Sequence, residues 1–416
     1  MTEPITWTCT GCALLCEDIQ VYIKDNRVEK VEHACLKGKA RAYGCKHTAI
    51  STVDQDEVDV NNAISQAAKI LEKAENPLLY GWSNSTSEAQ VAGIELAQTL
   101  GACIDSTSSF CQGITINGIM NKSLPSCTLE DVKEKADVVV YWGADPMSSH
   151  PRHLSKYSYF PRGELRQRGY EEDRTAICID VTESRTAKIC KSMFFSIPPG
   201  GDAEFMRALM DGLDGRVPKL SYDLDVKRIL ELAAVLKKAE FGVIFVGLGL
   251  VYSIKEEFDL ISKFMSTLNR FTNFFIIPMT GHFNMRGFNH NLHEETGFIH
   301  RVGFTKNGPI SGVEYSVVEQ LKHGADAVMV VGSDPLASLP LSITRRLKDI
   351  LLILVDPCAN LTSGVADVTI PCGASGIEVG GTAVRLDGRK MDISPIIQGD
   401  GLSDEMIIRR IMEEVS

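Results

Sequence analysis

The sequence predicts an α/β protein: a small β-rich N-terminal domain followed by two Rossmann-like parallel-sheet domains related by a pseudo-twofold axis. Three observations predict it. The first is an internal repeat: Ala136-Asp-Val-Val-Val-Tyr-Trp-Gly-Ala-Asp-Pro-Met-Ser-Ser-His-Pro151 aligns without gaps on Ala325-Asp-Ala-Val-Met-Val-Val-Gly-Ser-Asp-Pro-Leu-Ala-Ser-Leu-Pro340, identical at eight of sixteen positions. The second is that each copy is an apolar run ending in Gly-x-Asp-Pro, which reads as a buried strand. A further strand then ends on an acid, Ala176-Ile-Cys-Ile-Asp180 and Leu352-Ile-Leu-Val-Asp356. A third ends in Ile-Pro and a glycine turn, Phe194 to Gly200 and Val368 to Gly373. The third observation is that helical stretches intervene, as parallel sheets require. The expected boundaries are 1–55 for the N-terminal domain, 56–130 with 305–416 for a discontinuous α/β domain, and 131–304 for the second.

Length and composition agree with several domains. The 416 residues are too many for one ordinary core, and 44% hydrophobic with 23% charged residues suits a globular chain. A net charge of −11 argues against general nucleic-acid binding. No run of eighteen apolar residues is present, and the start MTEPITWTCTGC lacks the basic and apolar regions of a secretory signal. A cytoplasmic chain is expected.

Twelve cysteines in a reducing compartment point to metal or catalytic sulfur rather than disulfides. Cys9, Cys12 and Cys16 form a C-x2-C-x3-C run, able to bind three irons of a 4Fe–4S cubane with a distant fourth Cys. Structural zinc would want a second C-x2-C pair or a Cys/His pair, and none follows. The fourth ligand is Cys35 or Cys45. Between the run and Cys35, residues 18–31 read as a β-hairpin around Asp25-Asn26, which would return Cys35 to the cluster.

In open parallel sheets ligands sit beyond the carboxyl ends of the strands. Gly143, Gly247, Gly249 and Gly332 fall at such ends, where a missing side chain lets backbone N–H groups approach a phosphate. Asp180 and Asp356 are placed to bind a ribose hydroxyl or the N–H groups of a guanine. A duplicated nucleotide-binding unit suggests two copies of one nucleotide.

With its cysteine run, Cys35-Leu-Lys37-Gly38 and the Gly-x-Asp-Pro strands, the chain resembles the molybdopterin oxidoreductase family, which includes formate dehydrogenases. Asp180-Val-Thr182-Glu-Ser-Arg185, Pro199-Gly200-Gly-Asp202, Glu378-Val-Gly-Gly381-Thr382 and Asp387-Gly-Arg389 extend the resemblance over nearly the whole length. It implies Cys35 as the fourth cluster ligand and Lys37 between the cluster and one pterin. It implies two molybdopterin guanine dinucleotides held at Gly143, Asp145, Asp180, Thr182, Arg185, Gly200, Asp202, Gly247, Gly249, Gly332, Asp334, Asp356, Gly381, Thr382 and Arg389. Larger members continue into a C-terminal β-barrel domain. Its absence after Arg389 suggests that a separate subunit supplies it. That feature, with Cys12-Ala-Leu-Leu-Cys16-Glu-Asp-Ile, is most similar to the metal-bearing subunits of the formylmethanofuran dehydrogenase branch. The implied chemistry is two-electron reduction of CO2 to formate at tungsten or molybdenum. The implied partners are an amidohydrolase subunit, a barrel-domain subunit and ferredoxin-like electron-transfer subunits.

The same resemblance places the metal-ligating cysteine at Cys111, in Ser108-Ser-Phe-Cys-Gln-Gly113. A soft thiolate suits a metal held by dithiolene sulfurs. The other scattered cysteines, 103, 127, 178, 190, 358 and 372, read as small buried hydrophobes. CO2/formate enzymes usually carry His after the ligand; here it is Gln112, whose amide donates a hydrogen bond but shuttles no proton. Gly281-His282-Phe-Asn-Met-Arg286-Gly287 is the place to look for a replacement. Arg286 suits bidentate contact to a carboxylate or CO2, and His282 is the candidate to carry the proton. The basic stretch Arg152, His153, Lys156, Arg162, Arg166 and Arg168 reads either as phosphate- or subunit-facing or as a solvated face. Other bis-pterin oxidoreductases, such as formate dehydrogenases, are the alternative enzyme reading. An electron-wiring scaffold that keeps the cluster and has lost the pterins is the non-enzyme one.

Overall fold

The structure, a computed structural model, describes residues 3–44 and 49–415; Cys45 lies outside the described residues. The chain divides into two compact units. Unit 1 holds Met1–Phe110, His282–Arg385 and Lys390–Ser416; unit 2 holds Cys111–Gly281 and Leu386–Arg389.

Unit 2 is built on five parallel strands in the order Phe194–Ser196, Thr175–Asp180, Val138–Trp142, Gly242–Val246, Phe274–Pro278. Val138–Trp142 and Gly242–Val246 are buried at every position. Strands covered on both faces read as continuous apolar runs, which is why the sequence showed runs rather than alternation. Helices Asp202–Leu213, Val226–Lys238 and Asp259–Leu268 supply much of the cover, with Phe205, Leu209, Leu236 and Phe264 in one core with Trp142 and Ile244. Numbered along the chain the order is 3-2-1-4-5, so connections reverse between Val138–Trp142 and Gly242–Val246. Ligands bind outside such a switch point.

Unit 1 has a nine-stranded sheet whose five central strands are parallel: Cys103–Ser106, Pro77–Gly81, Ala327–Val331, Leu351–Val355, Val368–Ile370. The repeat is therefore spatial as well as sequential, although numbered along the chain the five strands of unit 1 run 2-1-3-4-5. Ala327–Val331 is flanked by the acid-ending strand on one side and by Pro77–Gly81 on the other, as Val138–Trp142 is flanked by Thr175–Asp180 and Gly242–Val246. Thr86 and Gly101 cap the helix Ser87–Leu100; the Thr86 side chain accepts from Ala89 N, and Gly101 takes a left-handed φ of 64°.

The observed division differs from the expected boundaries. The strand Val302–Thr305 pairs antiparallel with Cys103–Ser106, so the helix Met285–Thr296 leading into it stays with unit 1. Helix Gly113–Met120 instead packs Ile114 and Ile119 on the core of unit 2. The N-terminal segment is not a separate compact body. It forms the expected hairpin, Ile19–Lys24 with Arg27–Glu32, about Asp25 and Asn26 at φ 50° and 55°. Yet Thr52–Val53 joins the unit 1 sheet against Val368–Thr369, and Trp7 Nε1 donates to Gly376 O at 2.7 Å. Among the described residues no helix is long and apolar enough to cross a membrane.

Candidate functional site

The cysteine loop closes on itself. Cys9 N donates to Cys16 O at 2.9 Å, and Gly11 N points at Cys9 Sγ, 3.4 Å away. Cys9, Cys12 and Cys16 are buried and Cys35 is half-buried. Burial pushes the Cys9 thiol well up and the Cys12 thiol up to about 12, and the neighbouring cysteines, Cys35 included, add to both. The four sulfurs thus lie within electrostatic reach of one another. A Cβ on Gly38 would stand 3.0 Å from Cys9 Sγ, so glycine leaves the room the sulfur occupies. Among the described residues no three His, Cys, Asp or Glu side chains are drawn into a ready coordination geometry. The donor set nevertheless fits an iron–sulfur cluster. It offers four soft sulfurs, three of them buried and one receiving an N–H, and the cost that burial puts on charging Cys9 and Cys12 is the cost a bound iron would offset.

Beside this loop unit 1 has a cavity of about 400 Å³ beyond the carboxyl ends of its central strands. Gly11, Lys37, Arg41, Gly332, Asp356 and Asp404 are among its walls. Arg41 is braced by Thr10 Oγ1 at 3.2 Å and Ser375 O at 2.9 Å. Asp356 accepts Cys358 N at 2.9 Å, and burial pushes its carboxyl up to about 6. The Lys37 charge is felt by both Cys12 and His282.

Asp404 escaped the sequence reading. It opens the helix Asp404–Glu414, is buried, and its carboxyl is also pushed up to about 6 by burial. Its counterpart in unit 2 is Asp202, which likewise opens the helix after the third strand. Asp202 spends its carboxylate on Trp142 Nε1 at 2.6 Å. In unit 1 Val331 stands where Trp142 would be, and Asp404 faces the cavity. The inserted hairpin Gly381–Val384 with Lys390–Ile393 separates strand from helix and hides the match from a gapless alignment. Asp105, Asp356 and Asp404, all pushed up to about 6, set a pH dependence. Each holds its proton in the folded chain after the unfolded chain has released it near pH 4. The stability they contribute below about pH 4 is therefore lost as pH rises through about 6. Asp404→Asn is expected to flatten that slope in urea midpoints measured from pH 4 to 7.

The duplicated Gly-x-Asp-Pro segments do structural work in both copies. Asp145 Oδ1 accepts Thr186 Oγ1 at 2.5 Å, and Asp334 Oδ1 accepts Thr362 Oγ1 at 2.6 Å. Each Thr lies six residues after the strand-end acid, a match legible in the sequence but overlooked. Each Asp ties the end of one strand to the turn after the next. Asp145→Ala is expected to cost about 1–2 kcal/mol, read by chemical denaturation. The glycines also differ from expectation. The N–H groups of Gly143, Gly247, Gly249 and Gly332 go to Ile179 O, Trp142 O, Gly143 O and Val355 O. They are not left for a phosphate; glycine here provides close approach and, at Gly143 and Gly332, φ of 58° and 57°.

Of the remaining positions, Thr182 is exposed on the turn after Asp180, Arg185 is exposed at the start of the helix Arg185–Cys190, and Gly200 is an exposed turn at φ 81°. Asp180 accepts Val181 N at 2.7 Å. Thr382 Oγ1 donates to Glu88 Oε1 at 2.7 Å beside Gly381, and Arg389 pairs with Glu130 at 2.9 Å. Arg166 and Arg168 are paired with Glu240 and Asp173, while His153 is fully buried, so this stretch is no open basic surface at those positions.

Cys111 follows the turn Thr107–Phe110. The preceding hydroxyls are held: Ser106 and Ser108 bond each other at 2.9 Å, Ser108 receives Asn289 Nδ2 at 2.8 Å, and Ser109 donates to the buried Asp105 at 3.0 Å. Burial pushes the Cys111 thiol up to about 11, opposed by the Gln112 backbone N–H. Gln112 is buried, and its Nε2 donates to Val246 O at 3.0 Å, the carbonyl that also accepts Met279 N at 2.9 Å. Its Oε1 has no partner among the described residues. Gln112 thus anchors the start of unit 2 to its central strands. Arg286 is buried on the helix Met285–Thr296, with Nε on His290 Nε2 at 3.3 Å. His290 is pushed down to about 4, by burial first and then by Arg286. His282 keeps exposed surface yet is crowded enough that desolvation, with Lys37, lowers its pKa.

Two parallel-sheet units with matched central strands, one of them carrying three buried cysteines on one loop and a half-buried fourth, define a two-unit mixed α/β protein with four N-terminal cysteines. No protein-family model matches the chain. The B subunit of tungsten-containing formylmethanofuran dehydrogenase 2 from Methanocaldococcus jannaschii is 34% identical over 425 residues, covering 98% of this chain and 97% of that one. Its namesake from Methanococcus maripaludis is 32% identical with the same coverage. The chain belongs to the family of formylmethanofuran dehydrogenase B subunits, and so is a component of an enzyme complex. A chain of the formyltransferase/hydrolase complex (FhcABCD) from Methylorubrum extorquens, solved with methylofuran, shares the fold. It matches with a TM-score of 0.69 at 22% identity, covering 88% of this chain and 98% of that one.

Proposed function

We propose that this chain is the catalytic subunit that reduces CO2 to formate for formylmethanofuran synthesis. The observation that carries the proposal is the placement of Lys37: it walls the strand-end cavity of unit 1 and is felt by a cluster cysteine. Cys9, Cys12, Cys16 and Cys35 would hold a 4Fe–4S cluster and Cys111 a tungsten or molybdenum atom. Two molybdopterin guanine dinucleotides would bind at the strand ends, one near Asp356 and Gly332 and one near Asp180 and Gly143. When bound, these groups supply the two electrons of CO2 + H⁺ + 2e⁻ → HCOO⁻. Arg286 holds the carboxylate oxygens and favours the charge that develops on them. An amidohydrolase subunit would condense the formate with methanofuran, ferredoxin-like subunits would deliver the electrons, and a further subunit would provide the barrel domain. A second reading, a formate dehydrogenase acting without methanofuran, draws on Gln112 in place of the usual histidine.

Metal analysis of the purified complex with pterin quantification tests the proposal. One 4Fe–4S cluster, two pterin guanine dinucleotides and one tungsten or molybdenum per chain are expected; absence of pterin overturns the catalytic reading. Cys35→Ser is expected to leave the cluster short of a soft ligand, seen as a changed iron-to-chain ratio and a changed electron paramagnetic resonance signal.

A further inference from the structure

His282 sits at the end of a chain of hydroxyls within unit 1. Thr107 Oγ1 lies 3.4 Å from His282 Nδ1, and Ser83 Oγ lies 2.9 Å from Thr107 Oγ1. Ser83 and Thr107 are 2% and 7% exposed, so neither O–H is served by bulk water. Among the described residues Thr107 is the only side-chain or backbone partner of Ser83 Oγ. A buried hydroxyl with an acceptor in reach places its proton on it. Ser83 therefore donates to Thr107, Thr107 has its own proton left to donate, and His282 Nδ1 receives it. The reverse order, with an Nδ1–H donating to Thr107, would leave the Ser83 proton without an acceptor.

The direction has a chemical consequence. A ring whose Nδ1 accepts is neutral and carries its proton on Nε2. It cannot act as a general acid, since losing Nε2–H from a neutral ring would leave an imidazolate. It is instead a preorganised hydrogen-bond donor. We infer that Ser83 and Thr107 lock His282 as a neutral Nε2–H donor, which stabilises the negative charge growing on a CO2 oxygen and does not supply the proton. Ser83 and Thr107 are positioning residues. Desolvation and the nearby Lys37 act in the same sense by disfavouring the imidazolium. The backbone supports the arrangement: Ser83 O accepts Asn284 N at 3.1 Å, holding the segment after His282 to the residue that starts the hydroxyl chain. This inference rests on the CO2-reducing reading, and it changes the role of His282 within it.

The test combines nitrogen NMR of the full chain, labelled in its histidines, with turnover of the complex. At pH 7 the His282 ring is expected to show an unprotonated Nδ1 and a protonated Nε2. Thr107→Ser should keep that pattern, and Thr107→Val should lose it. In turnover, His282→Ala is expected to lose roughly 100-fold, the size of one missing oxyanion donor. His282→Gln, which keeps a neutral N–H donor and no acid, should stay within about tenfold of the wild type. An imidazolium at pH 7, a protonated Nδ1, a Thr107→Val ring unchanged from the wild type, or His282→Gln as inactive as His282→Ala overturns the inference. A wild-type complex without pterin would end the CO2-reducing reading instead, while the ring shifts would still decide the lock.

Discussion

Replacing Cys111 by alanine is expected to lower CO2 reduction by more than about 100-fold while leaving the iron–sulfur signal intact. Removing even a group that only orients a metal ligand typically costs about 10- to 100-fold, and a thiolate bound to the metal itself counts for more. The structure gives the test its specificity. Cys111 follows a turn whose serines are held by Asp105, Asn289 and one another, so the backbone there stays in place when the sulfur is removed. Cys9, Cys12, Cys16 and Cys35, the cysteines proposed to hold the cluster, belong to unit 1, whereas Cys111 opens unit 2. X-ray absorption at the tungsten or molybdenum edge should show one sulfur scatterer fewer, with pterin content retained. Full activity in this variant would remove Cys111 from the metal's ligands.

The second large effect is on stability. A Cβ at Gly247 would come within 1.9 Å of Gly143 O, and one at Gly143 within 2.3 Å of Leu250 N. Both obstacles are backbone, in the two strand-end turns at the switch point of unit 2, and neither can swing aside. Gly247→Ala is expected to destabilise unit 2 by about 3 kcal/mol, the upper end of the range for core overpacking, and to lower the unfolding midpoint by several degrees. Gly249→Ala is the control. Its Cβ would lie 3.1 Å from Gly143 Cα, so a small shift relieves it and a smaller loss should follow. Circular dichroism melts of the two variants would separate these outcomes. Equal melting temperatures for Gly247→Ala and wild type would contradict the packing described here.

Which features were legible beforehand follows from the range over which they act. The hairpin about Asp25-Asn26, the buried strands and the duplicated Gly-x-Asp-Pro were readable because periodicity and turn chemistry are local. The Asp145–Thr186 and Asp334–Thr362 ties were readable in principle as a second matched position in the repeat. Asp404 was not, because a hairpin inserted between strand and helix breaks the register of the two copies.

The sequence by itself determined the cysteine run, the repeat and hence two α/β units of one design, and the family to which the chain belongs. Spacing and pattern along a chain suffice for these. Only the tertiary structure decided where the units divide, because pairing of Val302–Thr305 with Cys103–Ser106 joins segments about two hundred residues apart. It alone showed that the strand-end glycines provide close approach rather than free N–H groups. It alone brought Ser83, Thr107 and His282 into one hydrogen-bonded line. The physical reason is the same in each case: what a side chain can donate or accept depends on which partners folding has already given it.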